Sequence, residues 1–237
     1  MLVETVAQIY LSNQRGTTLS EGCRSLHTLN SGSYHAEGRE PFGRLLTLND
    51  ETLDPGRSSS ITTSRTIEII LIPIVGGLEL MDSYGESIFV SPGETFRFLA
   101  FPESSFIILN PYPVETINYL QIHLRPETVA EDQENYLTDL PLKTMDFGNA
   151  NALEPILSSS CGKVSAFIGQ YAGREEGLHK IQNSESGIFA YIILGAFEVQ
   201  NRLLERGDAL SLLRVEDVEF EALSNGAIIL LMEIGML

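Results

Sequence analysis

The sequence predicts an all-β chain built from two barrel units. Three observations carry this: apolar, β-branched runs of strand length, Gly/Pro-acid turns between them, and a loose internal echo between the two halves. Ile67-Glu68-Ile69-Ile70-Leu71-Ile72 is apolar on both faces, as a strand inside a sandwich or barrel requires. Leu78-Glu79-Leu80-Met81 follows Gly76-Gly77 and ends at the turn cluster Asp82-Ser83-Tyr84-Gly85. Ser87-Ile88-Phe89-Val90 is the next strand, and Ser91-Pro92-Gly93-Glu94 the next turn, with Pro presetting φ and Gly accepting φ > 0. Thr95–Ala100, Phe106–Leu109 and Ile117–Leu124 continue the series.

From Arg125 to about Pro155 the pattern breaks. RPETVAEDQENY is acidic and aperiodic, and reads as a solvated connector. Strands resume at Lys163–Tyr171, Gly187–Leu194, Phe197–Gln200, Ala209–Leu213, Val218–Ala222 and Ala227–Ile234. Both halves run strand, glycine turn, strand, Gly-acid turn, strand: Gly77-Leu-Glu-Leu with Pro92-Gly93-Glu94, and Gly195-Ala-Phe-Glu-Val with Arg206-Gly207-Asp208. The organisation expected is residues 1–125, a connector 126–155, and residues 156–237.

Composition bounds the function. Of 237 residues, 43% are hydrophobic, enough for a core. Fifteen Lys and Arg against 32 Asp and Glu give a net charge of −17. That charge repels phosphate backbones and anionic lipid, so neither nucleic acid nor a membrane surface is an expected partner. IILIPIVGGLEL, the longest apolar stretch, is interrupted by Pro73 and Gly76-Gly77 and is too short to span a bilayer. The opening MLVETVAQIYLSNQRG lacks the basic and apolar regions of a signal peptide. Cys23 and Cys161 form no C-x-x-C pair and read as free thiols in a reducing cytoplasm.

Residues 56–85 carry the most informative spacing. Gly56 is followed after five residues by Thr62, then Ser64, then after three residues Glu68, and after seven more Gly76. The first motif of the cupin barrel has this spacing as far as the glutamate, with six residues rather than seven before its last glycine, and with histidines at i and i+2 where this chain has Thr62 and Ser64. An unbroken strand from Thr62 would set residues 62, 64 and 68 on one face.

Phe42-Gly43-Arg44-Leu45-Leu46, Asn49-Asp50, Gly56, Arg65, Glu68-Ile69, Gly77-Leu78-Glu79, Asp82-Ser83, Gly85, Pro92-Gly93-Glu94, Asn110 and Leu120-Gln121-Ile122 together resemble the pirin family, bicupin proteins related to quercetin dioxygenases. The C-terminal half resembles it in strand pattern and in Leu204-Glu205-Arg206-Gly207-Asp208-Ala209. The resemblance implies two cupin-like barrels. It also implies one iron or other divalent metal, held in the first barrel by three histidines and a glutamate. The first two fall on Thr62 and Ser64, in a segment that pirins write H-P-H-R. Counting back from Asn110 puts the other two on Phe106 and Ile108. Hydroxyls are poor ligands and hydrocarbon is none, so no metal cofactor is expected and dioxygenase activity is not.

Glu68, Gln121 and His123 remain as neighbours of that pocket. Glu68 reads as a base or ligand anchor, or as a salt-bridged structural acid. Gln121 and His123 face the same way on one strand, where pirins carry an aromatic at 123, and read as ligand contacts or as a satisfied polar pair. His27 and His35 lie too far along the chain from a Cys or acidic cluster to suggest zinc. His179, beside Glu175, Glu176 and Glu185, lacks the strand-borne i, i+2 pair of a metal site. The expected function is a metal-free pirin-like protein that binds a small apolar ligand or regulates a partner. The alternatives are an oxygenase with substitute ligands and a protein-interaction scaffold. A basic-faced protein partner or a homodimer fits the charge.

Overall fold

A computed structural model of the chain describes residues 5–126, 141–145, 150–158 and 163–237. In chain order the strands are β1 (Val6–Tyr10), β2 (Gly16–Ser20), β3 (Cys23–His27), β4 (Leu45–Leu53), β5 (Ser58–Thr62), β6 (Ile67–Val75), β7 (Leu78–Asp82), β8 (Ser87–Val90), β9 (Glu94–Ala100), β10 (Ser105–Leu109) and β11 (Ile117–Leu124). They continue as β12 (Lys143–Thr144), β13 (Glu154–Ser158), β14 (Val164–Tyr171), β15 (Glu176–Lys180), β16 (Ser186–Leu194), β17 (Ala196–Val199), β18 (Arg202–Glu205), β19 (Ala209–Leu213), β20 (Asp217–Ala222) and β21 (Ala227–Gly235).

The chain divides into two units, and they are not the consecutive halves that the sequence suggests. One comprises Gly16–Pro41 and Leu45–Thr144. The other comprises Met1–Arg15, Phe42–Arg44 and Met145–Leu237. The expected 1–125 unit therefore loses its first strand, because β1 pairs antiparallel with β19, Val6 opposite Leu213 and Tyr10 opposite Ala209. Asp208 fixes this junction: its Oδ1 accepts from Ser12 N at 2.6 Å and its Oδ2 from Glu205 N at 2.9 Å. Conversely β12, from the expected connector, pairs with β9 of the first barrel. Most of the rest of that connector lies outside the described residues.

Each unit holds a large and a small sheet. The first has the orders β12-β9-β6-β11-β4-β3-β2 and β5-β10-β7-β8; the second has β1-β19-β16-β21-β14-β13 and β15-β20-β17-β18. Adding ten to each label from β3 to β11 turns the first pair of orders into the second. The glycine-turn echo was therefore the trace of a true structural repeat. Gly93 (φ 86°) and Gly207 (φ 83°) occupy the matching turns in the left-handed conformation that glycine adopts without strain.

Why these runs form strands is visible in their burial. In β6 every residue from Ile67 to Pro73 is buried, so both faces are covered and an apolar run is required. Ile67, Ile69 and Leu71 pack with Leu80, Phe96, Phe98, Phe106 and Ile108 in the core of the first barrel. The second barrel's core is built likewise from Ile188, Ala190, Ile192, Phe197, Phe220 and Leu231. Each of the Ile, Leu and Phe side chains among them contributes roughly 1.5–3 kcal/mol by leaving water.

Candidate functional site

The structure does not bring the four positions of the expected metal pocket together. β5 ends at Thr62, and the chain bends before β6 begins at Ile67. The bend has a local cause. Arg65 N donates to Thr63 Oγ1 at 3.2 Å, and that hydroxyl donates to Arg65 O at 2.6 Å, an Ser/Thr turn that interrupts the pleat. Residues 62, 64 and 68 therefore do not share a strand face, which corrects the expectation. Thr62 and Ser64 are exposed. The neighbouring Ile61 is the β5 residue that turns inward, opposite Phe106 in register. Phe106 and Ile108 both belong to the barrel core, and the Phe106 ring lies 4.8 Å from that of Phe98.

Two exposed hydroxyls and two core hydrocarbons supply no imidazole, thiolate or carboxylate, so this donor set does not fit the metal that the resemblance implies. Among the described residues no group of three or more His, Cys, Asp and Glu side chains is placed to hold a metal ion. Glu68 is buried, but period two puts it on the face of β6 opposite the core residues Ile67, Ile69 and Leu71, and it is ion-paired to Arg97. Its structural reading is the one that the geometry supports.

Gln121 and His123 do lie together, and they lead to a feature that the sequence concealed. Gln121 Nε2 donates to His123 Nε2 at 2.9 Å, leaving the ring proton on Nδ1. Across the sheet, His123 faces Thr47, Gln121 faces Asn49, Tyr119 faces Glu51 and Ile117 faces Leu53. One strand further, Asn49 faces His27 and Glu51 faces Ser25. Directly paired residues share a face, and Ile117, Tyr119 and Leu53 belong to the core. The inner wall formed by β3, β4 and β11 is therefore polar.

Its hydrogen bonds are dense. Ser25 Oγ donates to Glu51 Oε1 at 2.7 Å. His27 Nδ1 lies 3.0 Å from Asn49 Oδ1 and its Nε2 lies 2.8 Å from Thr18 Oγ1. The Tyr34 ring stacks on that imidazole at 5.9 Å. Two hydroxyls on the wall, Tyr119 Oη and Thr47 Oγ1, are buried without a partner. His27, set aside in sequence as a zinc ligand for its distance from a Cys or acidic cluster, sits inside this hydrogen-bonded group. Cys23, a free thiol, is at the end of the same strand; Cys161 lies outside the described residues.

Electrostatics distinguish the wall from ordinary core. Burial pushes the Glu51 carboxyl up to about 7, against hydrogen bonds from Ser25 and Asn49 that hold it down. Burial, and then the charges of Glu51 and Cys23, raise the Tyr119 hydroxyl well above its usual range. Burial, reinforced by the Arg65 charge, pulls the His123 imidazole down to about 4.

These shifts act on stability in opposite directions. Folded Glu51 keeps its proton longer than the unfolded residue, so its contribution is full below pH 4.5 and is lost as pH rises to about 7. Folded His123 resists its proton, so its contribution is present above pH 6.5 and is lost as pH falls to about 4. The slopes offset each other between pH 4.5 and 6.5. Glu51→Gln is expected to uncover a stability that climbs with pH across this window, and His123→Gln one that falls. Urea unfolding at half-unit pH steps checks both, and parallel profiles in the two variants would refute the assignment.

In the second unit, His179 is not joined to Glu175, Glu176 or Glu185. Its Nε2 lies 2.7 Å from Glu233 Oε1, and Gln182 N donates to both Glu233 oxygens at 3.2 and 3.3 Å. Both side chains are buried, and the Phe167 ring packs on the imidazole at 4.6 Å. Counted along the last strand of each barrel, Glu233 and His123 occupy matching places, six residues after the core residues Ala227 and Ile117. A cavity of ≈ 430 Å³ on this unit, lined by Glu176, Leu178, Glu198, Glu219, Phe220 and Glu221 among others, is acidic and unsuited to anions.

Comparison with known proteins agrees with this geometry. Residues 163–234 match the family model described as the quercetinase C-terminal cupin domain. Proteins named "Putative quercetin 2,3-dioxygenase" from Mycobacterium bovis and Mycobacterium tuberculosis are 24% identical over 120 residues, which is 51% of this chain and 49% of theirs. The match thus spans about half the length of these curated relatives. The bacterial pirin YhhW of Escherichia coli, solved in complex with nickel(II), superposes with a TM-score of 0.83 at 17% identity, over 98% of this chain and 100% of that one. Quercetin 2,3-dioxygenase from Acinetobacter baumannii superposes with a TM-score of 0.68 at 12% identity, over 97% and 79%. The chain thus has the two-barrel fold of these bicupin structures, and residues 163–234 of its second barrel are similar to the quercetinase C-terminal cupin domain.

Proposed function

We propose that this pirin-like chain works without the family metal in its first barrel, as a small-ligand-binding or regulatory protein. The observation that carries this reading is the fate of the four ligand positions. Thr62 and Ser64 are exposed on the bend after β5, while Phe106 and Ile108 are packed in the core. Restoring a divalent site there would require both new donors and the removal of two core side chains. The first barrel's remaining chemistry lies on its polar wall, where carboxyl, amide, imidazole and hydroxyl groups can bind and orient a ligand.

The test is elemental analysis of the purified chain after incubation with ferrous iron and with nickel, followed by a flavonol turnover assay. Metal content far below one per chain and no turnover are expected. About one metal per chain together with flavonol consumption would establish the oxygenase reading instead.

A further inference from the structure

The first barrel's large sheet ends in a strand with one open edge. β2 stands last in the order β12-β9-β6-β11-β4-β3-β2, and among the described residues it pairs with β3 alone, Gly16 opposite His27 and Ser20 opposite Cys23. Thr17, Thr18, Leu19 and Ser20 are all exposed, Leu19 by 72%. Successive residues of a strand point to opposite faces, so four exposed in a row leave β2 bare on both faces as well as along its edge. A two-stranded ribbon standing in water is marginal by itself. Natural edges are guarded by charge, proline, a bulge or shortness. In the other large sheet the edge strand β13 has Pro155 and a register shift, and β12, at the far edge of this sheet, has two residues. β2 is Gly-Thr-Thr-Leu-Ser and has none of these guards.

We propose that β2 is a self-association edge: two copies of this chain pair antiparallel through β2, about a twofold axis at Thr18, and join two seven-stranded sheets into one. Charge and register select a second copy as the occupant. Each chain carries −17, so two copies repel where their acidic surfaces meet, and approach costs least at a neutral surface. β2 is neutral, and the acid beside it, Glu21, is ion-paired with Arg57 at 3.1 Å. The strand is also self-complementary, as a twofold interface requires. Thr18 faces its own copy, Thr17 faces Leu19 and Gly16 faces Ser20, so no like charges are opposed. One step beyond, Glu21 of each copy stands level with Arg15 of the other, and opposite charges meet. Pairing over five residues buries less than the roughly 800 Å² per partner of a stable complex, so the dimer is weak and reversible. The proposal is independent of the metal-free reading. It sets the polar walls of two copies in one continuous sheet face, because Thr18, whose hydroxyl lies 2.8 Å from His27 Nε2, is in register with Ser25 and Glu51.

The experiment is sedimentation velocity of the full chain in physiological salt, over a roughly hundredfold concentration range up to about 1 mM. The double variant Thr17→Glu/Leu19→Glu opposes carboxylates to carboxylates across the axis, and Thr17→Lys/Leu19→Lys opposes ammonium groups in the same way. Thr62→Glu, at an exposed position of β5, is the control. All these positions are exposed, and melting curves confirm folding. The natural chain is expected to move toward twice the monomer mass as concentration rises, and Thr62→Glu to follow it. Each double variant alone is expected to weaken association tenfold or more. An equimolar mixture of the two is expected to regain it, because each carboxylate then faces an ammonium. Should one double variant fail to fold, the other decides. A chain that stays monomeric throughout, or a dimer that persists in a folded double variant, would overturn the proposal. A mixture that stays monomeric while both variants are folded would overturn the antiparallel register.

Discussion

Asn110→Leu is expected to destabilise the chain by at least ~3 kcal/mol, more than any change at the expected metal positions Thr62 or Ser64. Asn110 is wholly buried, and its side chain takes the place of backbone that the fold does not supply. Its Nδ2 donates to three carbonyls, Leu53 O at 3.0 Å, Asp54 O at 3.0 Å and Glu115 O at 2.8 Å. Its Oδ1 accepts from Tyr112 N at 3.0 Å. The residue thus ties the end of β4 to the turn between β10 and β11. Leucine matches the volume but leaves one amide and three carbonyls to find new partners or none. Asn110→Asp is the sharper control. It keeps the acceptor for Tyr112 but sets a carboxylate against three carbonyl oxygens, so it should be at least as damaging. With 2–4 °C of melting temperature per kcal/mol as the usual scale, a fall of roughly 10 °C is expected. Thermal and urea unfolding measure it, and a loss under 1 kcal/mol in Asn110→Leu would show that the turn holds without its amide.

The same residue shows what could be read from the sequence. Asn110 was visible as part of the family resemblance, but its role was not, because two of its partners, Leu53 and Asp54, lie in a distant segment. Strands that read clearly include β6, β9 and β10, whose inner face is apolar. β5, with sequence SSSIT, gives no strand signal, since Ile61 is its only large inward residue. β15, EGLHK, is inverted: Leu178 is exposed and His179 is buried. Pairing of β1 with β19 is a tertiary choice that no local pattern encodes.

The polar wall was hidden by a sound rule applied to the wrong face. Thr47 and Asn49 alternate with Leu46 and Leu48, and such alternation normally marks the solvent side of a strand. Here Leu48 is fully buried on the opposite face, and the polar residues turn inward. A strand buried on both faces gives a period of two but not its sign. The sequence could also place polar residues on each strand without showing that three strands align them, because register is set by long-range pairing.

The largest test of the second barrel is its buried pair. Glu233→Leu is expected to cost roughly 3–5 kcal/mol, the range for removing one partner of a buried pair. Glu233 is 2% exposed and accepts from two donors, His179 Nε2 and Gln182 N. Leucine strands both. His179→Leu should be milder, because the carboxyl keeps the Gln182 amide and the leucine can still pack on Phe167. The double variant should fall close to Glu233→Leu alone, since the second change then removes a group already left unmet. A coupling of roughly 1–3 kcal/mol between the two sites follows. Urea unfolding of the four proteins in the cycle measures it. Additive costs would mean that the two side chains act independently and that the 2.7 Å contact contributes little to stability. Strong coupling would mean that the second barrel closes the end of its last strand with an internal acid–imidazole pair, where the first barrel places Gln121 and His123.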